Sequence, residues 1–189
     1  MSSFYYIRDI KDHHINKEKI LSVAYNHAVV YASSGYTEWK NFDIKDRSSI
    51  ISNTDYKLLE DTPHLQDRWV KYAFSERDLK EYQEFLYHKF KVKKLFTNIS
   101  WFNQYYPNSG SEHWWHNHSP EDLTNIYFVE LKDKSLRTIL KHPKTGKEIV
   151  PKVKEGQMLT FDGRIEHMSP PNHTSTRKTV ISFNIRFLK

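Results

Sequence analysis

"KLFTNISWFNQYY", residues 94–106, is rich in aromatic and β-branched side chains, and its alternation is typical of a β-strand. Comparable stretches recur along the rest of the chain, separated by turn sequences such as "PNSG" (107–110) and "PKTG" (143–146). They are "NIYFVEL" (125–131), "LRTILKH" (136–142), "EIVPKV" (148–153), "EGQMLTFDG" (155–163) and "RKTVISFNIRF" (177–187). A succession of short strands without intervening helices predicts an antiparallel barrel or jelly roll.

The chain before residue 94 follows a different pattern. Two stretches, "NKEKILSVAYNHAVVYASS" (16–34) and "SERDLKEYQEFLYHKF" (75–90), carry apolar residues at helical spacing. The second starts at Ser75 with Asp78 three positions later, which resembles a capping box. We therefore expect an α+β, mainly β protein, a double-stranded β-helix (jelly roll) braced by N-terminal helices. In this single domain of residues 1–189, residues 1–94 are mostly helical support and residues 95–189 form the jelly-roll core.

Composition excludes several classes of function. The chain has 189 residues, enough for one domain with a full core, and no cysteine, which excludes disulfides, thiolate metal sites and cysteine nucleophiles. The P-loop and G-x-S-x-G patterns are both absent from the sequence. No basic start followed by an apolar run opens the sequence, and no stretch approaches the roughly 20 apolar residues of a membrane span. These features predict a cytoplasmic location without membrane attachment.

The net charge of +6 is concentrated in residues 132–154. Eight basic residues stand there against Asp133 and Glu148: Lys132, Lys134, Arg137, Lys141, Lys144, Lys147, Lys152 and Lys154. Such a segment could meet nucleic acid or an acidic partner. We favour a solvated lysine-rich hairpin, because no aromatic residues alternate with the basic ones.

"HWWHNH" (113–118) places three of the eleven histidines of the chain within six positions. His116 and His118 are two residues apart, so on a strand their rings would face the same side. His167 follows in "FDGRIEHMSPPN", at a strand end that a jelly roll can bring beside the first strand. Three imidazoles suit Fe, Zn, Cu or Ni, and a site with three protein ligands keeps positions open for catalysis. The alternative is a packed aromatic strand whose histidines bind no metal.

Several motifs taken together resemble one known family. Their order is "YYPNSG" (105–110), "HWWHNHSP" (113–120), "LTNIYFVEL" (123–131), "GQMLTF" (156–161), "HMSPPN" (167–172) and "RKTVISFN" (177–184). This order resembles the 2-oxoglutarate- and Fe(II)-dependent oxygenases, above all their small bacterial and phage members of the prolyl-hydroxylase type. The similarity covers about half of the chain, residues 95–187.

The resemblance implies a reaction and its cofactors. Fe(II), 2-oxoglutarate and O2 would serve a dioxygenase that hydroxylates an unidentified small-molecule or peptidyl substrate, with oxidative decarboxylation of 2-oxoglutarate to succinate. His116, His118 and His167 would be the metal ligands, and we assign no catalytic residue beyond them. The usual family pattern has a carboxylate where this sequence has His118. Three nearby carboxylates remain alternative ligands, namely Glu112, Glu121 and Asp122.

The family also requires a cation for the distal carboxylate of 2-oxoglutarate, about ten residues beyond the last histidine. Arg177 and Lys178 both fit this spacing. A guanidinium pairs with a carboxylate through two hydrogen bonds, which favours Arg177 slightly. Strand alternation favours Lys178 instead, unless a bulge between residues 177 and 179 restores Arg177. Other candidates for binding 2-oxoglutarate or substrate are Asn103, Tyr105, Tyr127 and Asn184.

Two other functions remain open from the sequence. One is a three-histidine jelly-roll metalloenzyme that does not use 2-oxoglutarate. The other is a non-enzymatic jelly-roll binding module whose working surface is the basic segment, with nucleic acid as a less favoured partner.

Overall fold

The computed structural model describes residues 4–18, 20–21, 50–51, 74–92 and 94–188. Residues 13–18 and 20–21 are helical, and Lys134–Leu136 form a 3-10 turn. The remaining elements of the described parts are one long helix, α1 (Glu76–Phe90), and ten strands. The strands are β1 (Tyr5–Asp9), β2 (Ile50–Ile51), β3 (Lys94–Tyr105), β4 (His113–His116), β5 (Leu123–Leu131), β6 (Ile139–Lys141), β7 (Glu148–Ile149), β8 (Gln157–Asp162), β9 (His167–Ser169) and β10 (Lys178–Leu188).

The strands form two antiparallel sheets. The larger sheet has the order β1-β8-β5-β10-β3-β2 and the smaller one β4-β9-β6-β7. Neighbours in space are distant in sequence, as in β5 beside β10 and β4 beside β9. This arrangement confirms the predicted mainly β jelly roll with helices at its side.

Strand alternation separates two apolar cores. In β5, Ile126 and Phe128 face the smaller sheet and pack in one cluster with Leu140 of β6. Tyr127 and Val129 point to the opposite face, where they pack in a second cluster with residues of helix α1. All nine residues of β5 are buried, so this central strand is covered on both faces.

Helix α1 covers the outer face of the larger sheet. Its N-cap is Ser75, whose hydroxyl accepts a hydrogen bond from the backbone N–H of Asp78, and it ends before Lys91 in the left-handed conformation, φ 55°. Tyr82 and Leu86 are buried against the sheet. The helical spacing of apolar residues predicted for this stretch is therefore confirmed.

The N-terminal part differs from the prediction of mostly helical support. Tyr5–Asp9 is a strand that pairs with β8, with Tyr5 opposite Phe161. The aromatic residues at 4–6 pack on the sheet and helix, as Tyr6 does against Phe85 and Phe90. The predicted helix beyond residue 21 lies outside the described residues. The assignment of residues 1–189 to a single domain, with a division at 94/95, stays a prediction.

The basic segment forms the predicted hairpin. Strands β6 and β7 pair with Leu140 opposite Ile149, and the turn between them contains Gly146 at φ 68°. Lys141 is ion-paired with Glu166 at 2.9 Å and lies over the ring of Trp115. Among the described residues, no helix is both long enough and apolar enough to cross a membrane.

Candidate metal centre

Strands β4 and β9 bring two distant histidines together at one end of the smaller sheet. His116 is the last residue of β4 and His167 the first of β9, and they are directly opposite each other in the antiparallel pair. Their ring centroids lie 4.2 Å apart. Two residues that are far apart in sequence therefore lie side by side at the rim of the pocket between the two sheets.

His118 completes a group of three. The ligand atoms of His116, His118 and His167 all lie within 4.8 Å of one another, and the ring of His118 is centred 5.1 Å from each of the other two. The route to this position differs from the prediction, because β4 ends at His116 and His118 lies in the turn that follows. Strand alternation therefore does not explain why its ring faces the other two.

Backbone carbonyls orient two of the three rings. Nδ1 of His116 lies 2.6 Å from the carbonyl oxygen of Trp114, and Nδ1 of His167 lies 3.1 Å from that of Ile165. A carbonyl oxygen only accepts hydrogen bonds, so Nδ1 carries the proton in both rings. Nε2 then keeps its lone pair for a metal, as in many histidine metal sites.

Burial keeps these imidazoles neutral. It lowers the pKa of His118 to about 4, and it also lowers the pKa values of His116 and, to well below the usual range, His167. Repulsion from the neighbouring histidines adds to the shift for His118 and His167. Neutral imidazole is the form that binds a metal, so the group needs no deprotonation at pH 7.

A fourth histidine lines the pocket without belonging to the group. The ring of His113 stacks on that of His116, with centroids 3.9 Å apart and planes 18° apart. Its pKa is lowered to about 4, chiefly by burial and also by His116, His118 and Lys178. His113 therefore forms part of the pocket wall and lies close to both the histidine group and Lys178.

The alternative carboxylate ligands lie elsewhere. Glu121 pairs with Arg186 at 3.2 Å, and Asp122 accepts a hydrogen bond from the backbone N–H of Phe187. Glu112 is not among the residues that line the pocket. Within the described part of the chain, the group that could hold a metal consists of three histidines and no carboxylate.

Lys178 lies inside the same pocket. Its side chain is fully buried, and Nζ donates a hydrogen bond to Ser169 Oγ at 2.7 Å and lies 4.9 Å from the centre of the Tyr105 ring. No carboxylate of the described residues is within ion-pair distance, and burial lowers its pKa to about 7. The pocket therefore contains a buried amino group that no carboxylate of the described residues faces.

Asn103 and Tyr105 also line this pocket, as the sequence suggested. The Asn103 amide donates a long hydrogen bond to the Tyr105 hydroxyl at 3.5 Å. Its Oδ1 is buried and accepts no hydrogen bond from any described residue. A buried polar atom of this kind usually has a partner, so this oxygen is free to accept a hydrogen bond from a bound molecule.

Three predicted binding residues, Arg177, Tyr127 and Asn184, are not among the residues that line the pocket. Arg177 forms two hydrogen bonds with Glu130, at 2.7 and 3.0 Å, on the other side of the strand. The hydroxyl of Tyr127 contacts Nδ1 of His13 on the helix-covered face. Asn184 accepts a hydrogen bond from Thr124 and lies at the irregularity between Phe183 and Ile185 in the pairing of β10 with β3.

The choice between the two cations follows from strand alternation. Lys178 faces the pocket together with Val180 and Ser182, so Arg177 must face outward. The irregularity in the β5–β10 pairing lies between Thr179 and Val180, outside the interval 177–179 in which a bulge would have turned Arg177 inward, and Lys178 keeps its orientation.

Sequence reasoning missed Ser169, which accepts the hydrogen bond from Lys178. The sequence could have indicated Ser169 as a pocket residue, because it is two residues after His167 on the same strand and therefore faces the same side. The pocket is also lined by Trp101, Ile126 and Met168 of neighbouring strands and by Thr138, which directly precedes β6.

No protein-family model matches this chain, and no curated protein sequence is similar to it. Solved structures do match its fold. A viral collagen prolyl hydroxylase from Paramecium bursaria Chlorella virus-1, in complex with 2-oxoglutarate, aligns with a TM-score of 0.58 at 14% identity, over 100% of this chain and 98% of that one. A prolyl hydroxylase from Trichoplax adhaerens, in complex with a peptide fragment of hypoxia inducible factor, aligns with a TM-score of 0.62 at 14% identity, over 99% and 84% of the two chains.

A third structural match is named for a different reaction, epimerisation. The non-heme α-ketoglutarate-dependent epimerase SnoN of nogalamycin biosynthesis aligns with a TM-score of 0.63 at 12% identity, over 97% of this chain and 77% of that one. Proteins with different named reactions therefore share this architecture, so the likeness identifies the fold and leaves the substrate open. The chain has the double-stranded β-helix fold of the 2-oxoglutarate- and Fe(II)-dependent oxygenases.

Proposed function

We propose that this protein is a 2-oxoglutarate- and Fe(II)-dependent oxygenase that hydroxylates a small-molecule or peptidyl substrate. One observation carries the proposal. Three neutral imidazoles line one pocket of a jelly roll together with Lys178, a buried lysine that forms no ion pair with the described residues. A bound Fe(II) and 2-oxoglutarate would supply the oxidative chemistry that consumes O2 and yields succinate.

The histidines fit an iron site in number and chemistry. His116, His118 and His167 would hold the ion through nitrogen, and three protein ligands leave three positions of an octahedral ion free. Because none of the ligands carries charge, the ion keeps its full charge of two. A dianionic chelating ligand would neutralise it, so we expect tighter metal binding when 2-oxoglutarate is present.

Lys178 would bind the distal carboxylate of 2-oxoglutarate. Pairing with a carboxylate compensates the cost of burying the ammonium group, which no described residue does. Ser169 Oγ and the Tyr105 ring lie beside it, and the hydroxyls of both side chains are available as further hydrogen-bond donors. Asn103 would contribute its amide to the same ligand or to the substrate.

The pocket must widen to admit this ligand. Its free volume is about 20 Å³, which holds roughly one water. His113 is the wall residue best suited to move, because its ring nitrogens form no hydrogen bond with the described residues and it belongs to an edge strand four residues long. His116 and His167, in contrast, are held by backbone carbonyls.

The first experiment is an anaerobic Fe(II) titration with 2-oxoglutarate present, following the visible charge-transfer band of a 2-oxo acid chelated to iron. We expect a band in the wild type that His116→Ala and His167→Ala both abolish. His88→Ala, which changes an exposed histidine of helix α1, is the matched control and should keep the band. Absence of metal binding in the wild type would refute the proposal.

The pocket also supports a second candidate, a three-histidine metalloenzyme that does not use 2-oxoglutarate. It is favoured by the absence of a carboxylate from the histidine group of the described residues and by the small free volume. This function predicts metal binding in the same titration without a charge-transfer band, and an affinity for metal that 2-oxoglutarate leaves unchanged.

A further inference from the structure

The turn that carries His118 is closed at both ends by hydrogen bonds to one residue, Gly163. The backbone N–H of His118 donates to the carbonyl of Gly163 at 2.7 Å, and the N–H of Gly163 donates to the carbonyl of Asp122 at 3.2 Å. Within the turn, the N–H of Glu121 donates to the carbonyl of His118 at 2.8 Å. The loop after β8 therefore holds the turn after β4 in place.

Only glycine fits at position 163. A Cβ there would lie 2.3 Å from the carbonyl oxygen of Glu121 and 2.9 Å from its carbonyl carbon, well inside van der Waals contact. Both atoms belong to the backbone, so no side-chain rotation relieves the contact. The requirement is for space, since the φ of Gly163 is not in the left-handed region.

The other end of the turn is attached independently to β10. The N–H of Asp122 donates to the carbonyl of Ile185 at 3.1 Å, and Glu121 pairs with Arg186. A side chain at position 163 would thus push against the peptide between Glu121 and Asp122, and the displacement would reach His118 through the hydrogen bond from the Glu121 N–H to the His118 carbonyl. The expected result is a local displacement of the third imidazole.

We propose that Gly163 is a positioning residue for metal binding, which acts by holding the turn of residues 118–122 so that His118 faces His116 and His167. This inference rests on the proposed function, in which His118 is a ligand. It explains how a histidine outside the strand reaches the metal site. Strand geometry positions His116 and His167, and close backbone contact positions His118.

The test is a double-mutant cycle on the affinity for Co(II), whose visible spectrum reports its coordination. Gly163→Ala should raise the Kd about 10- to 100-fold, the usual effect of removing the support of a metal ligand. In a His118→Ala background the same change should alter the Kd less than about twofold, because the ligand that Gly163 positions is already absent. The thermal midpoint of each metal-free variant is measured in parallel.

Two further variants keep the cycle decisive. Gly146→Ala also replaces a glycine, in the β6–β7 turn where a φ of 68° strains an alanine although its Cβ meets no atom within 4 Å. It controls for a general loss of stability and should leave the Kd unchanged. If Gly163→Ala does not fold, Asp162→Ala replaces it in the cycle. Asp162 shapes the same loop by accepting hydrogen bonds from the backbone and side chain of Arg164, and its removal adds no atom.

The outcomes separate this inference from the function on which it rests. If the wild type binds Co(II) and the position-163 change weakens binding by the same factor with and without His118, Gly163 acts on the fold in general and the inference is overturned. An unchanged Kd in Gly163→Ala would overturn it as well. If the wild type binds no Co(II), the metal site itself is refuted.

Discussion

Binding of 2-oxoglutarate should weaken as the pH rises above neutrality, because the cation proposed to hold its distal carboxylate is a lysine with a low pKa. Burial lowers the pKa of Lys178 to about 7 in the protein without a bound anion. The ammonium form pairs with a carboxylate and the neutral amine does not. Binding therefore requires a proton on Lys178, which becomes scarcer as the pH rises.

The size of the effect follows from this pKa. With a value of about 7, the ammonium fraction falls from about one half at pH 7 to about one hundredth at pH 9. The Kd for 2-oxoglutarate should then rise about 50-fold across this interval. Other groups of the pocket stay constant, since His113 and His118 have pKa values of about 4 and Tyr105 one of about 12.

The assay is an anaerobic titration of the Fe(II)-loaded protein with 2-oxoglutarate at several pH values between these limits. Lys178→Arg should remove the pH dependence, because a guanidinium keeps its proton throughout this range. Lys152→Arg, an exchange at an exposed position, should keep the slope of the wild type. A pH-independent Kd in the wild type, or an unaltered slope in Lys178→Arg, would refute the assigned role of Lys178.

Three further predictions follow from the same contacts. His113→Ala should keep metal binding and lower the Kd for 2-oxoglutarate by about three- to tenfold, because it widens the pocket; weaker binding in an anaerobic titration would show instead that His113 binds the ligand. Arg177→Ala should leave that Kd within about twofold of the wild type and destabilise the fold by about 1–3 kcal/mol, because it leaves Glu130 buried without its partner; urea unfolding measures this, and an unchanged midpoint would contradict it. The pKa of His13 is lowered by burial beside Tyr127, so the unfolded chain binds more protons as the pH falls below about 6.5 and stability decreases there. The urea midpoint of metal-free protein should therefore fall less between pH 7 and pH 5 in His13→Asn than in the wild type, and parallel losses would exclude His13 as a contributor.

Local patterns accounted for much of the architecture. The stripe of helix α1, its start at Ser75 and most strands after residue 94 could be predicted, because alternation and helical spacing depend on near neighbours. Strand β1 was not foreseen. Its five residues become a strand because β8 offers an unpaired edge about 150 residues away, which no local pattern indicates.

The histidine group likewise depends partly on local sequence and partly on contacts between distant segments. The sequence indicated its three histidines by residue type and order. Strand alternation made Lys178 one of two candidate cations. The sequence could not decide between Lys178 and Arg177, since that depends on where a bulge falls across the β5–β10 pair. It also could not show that Glu130 engages Arg177, leaving Lys178 as the buried cation.

The sequence by itself determined which chemical groups are available: neutral nitrogen ligands, no thiolate, and two candidate cations beside a jelly-roll strand. The tertiary structure decided which of them meet. His118 faces its partners because Gly163 allows two backbones to touch, and Lys178 lies in the pocket because the register of β10 holds it there. Both outcomes depend on contacts between segments distant in sequence, and such contacts form only when the whole chain packs.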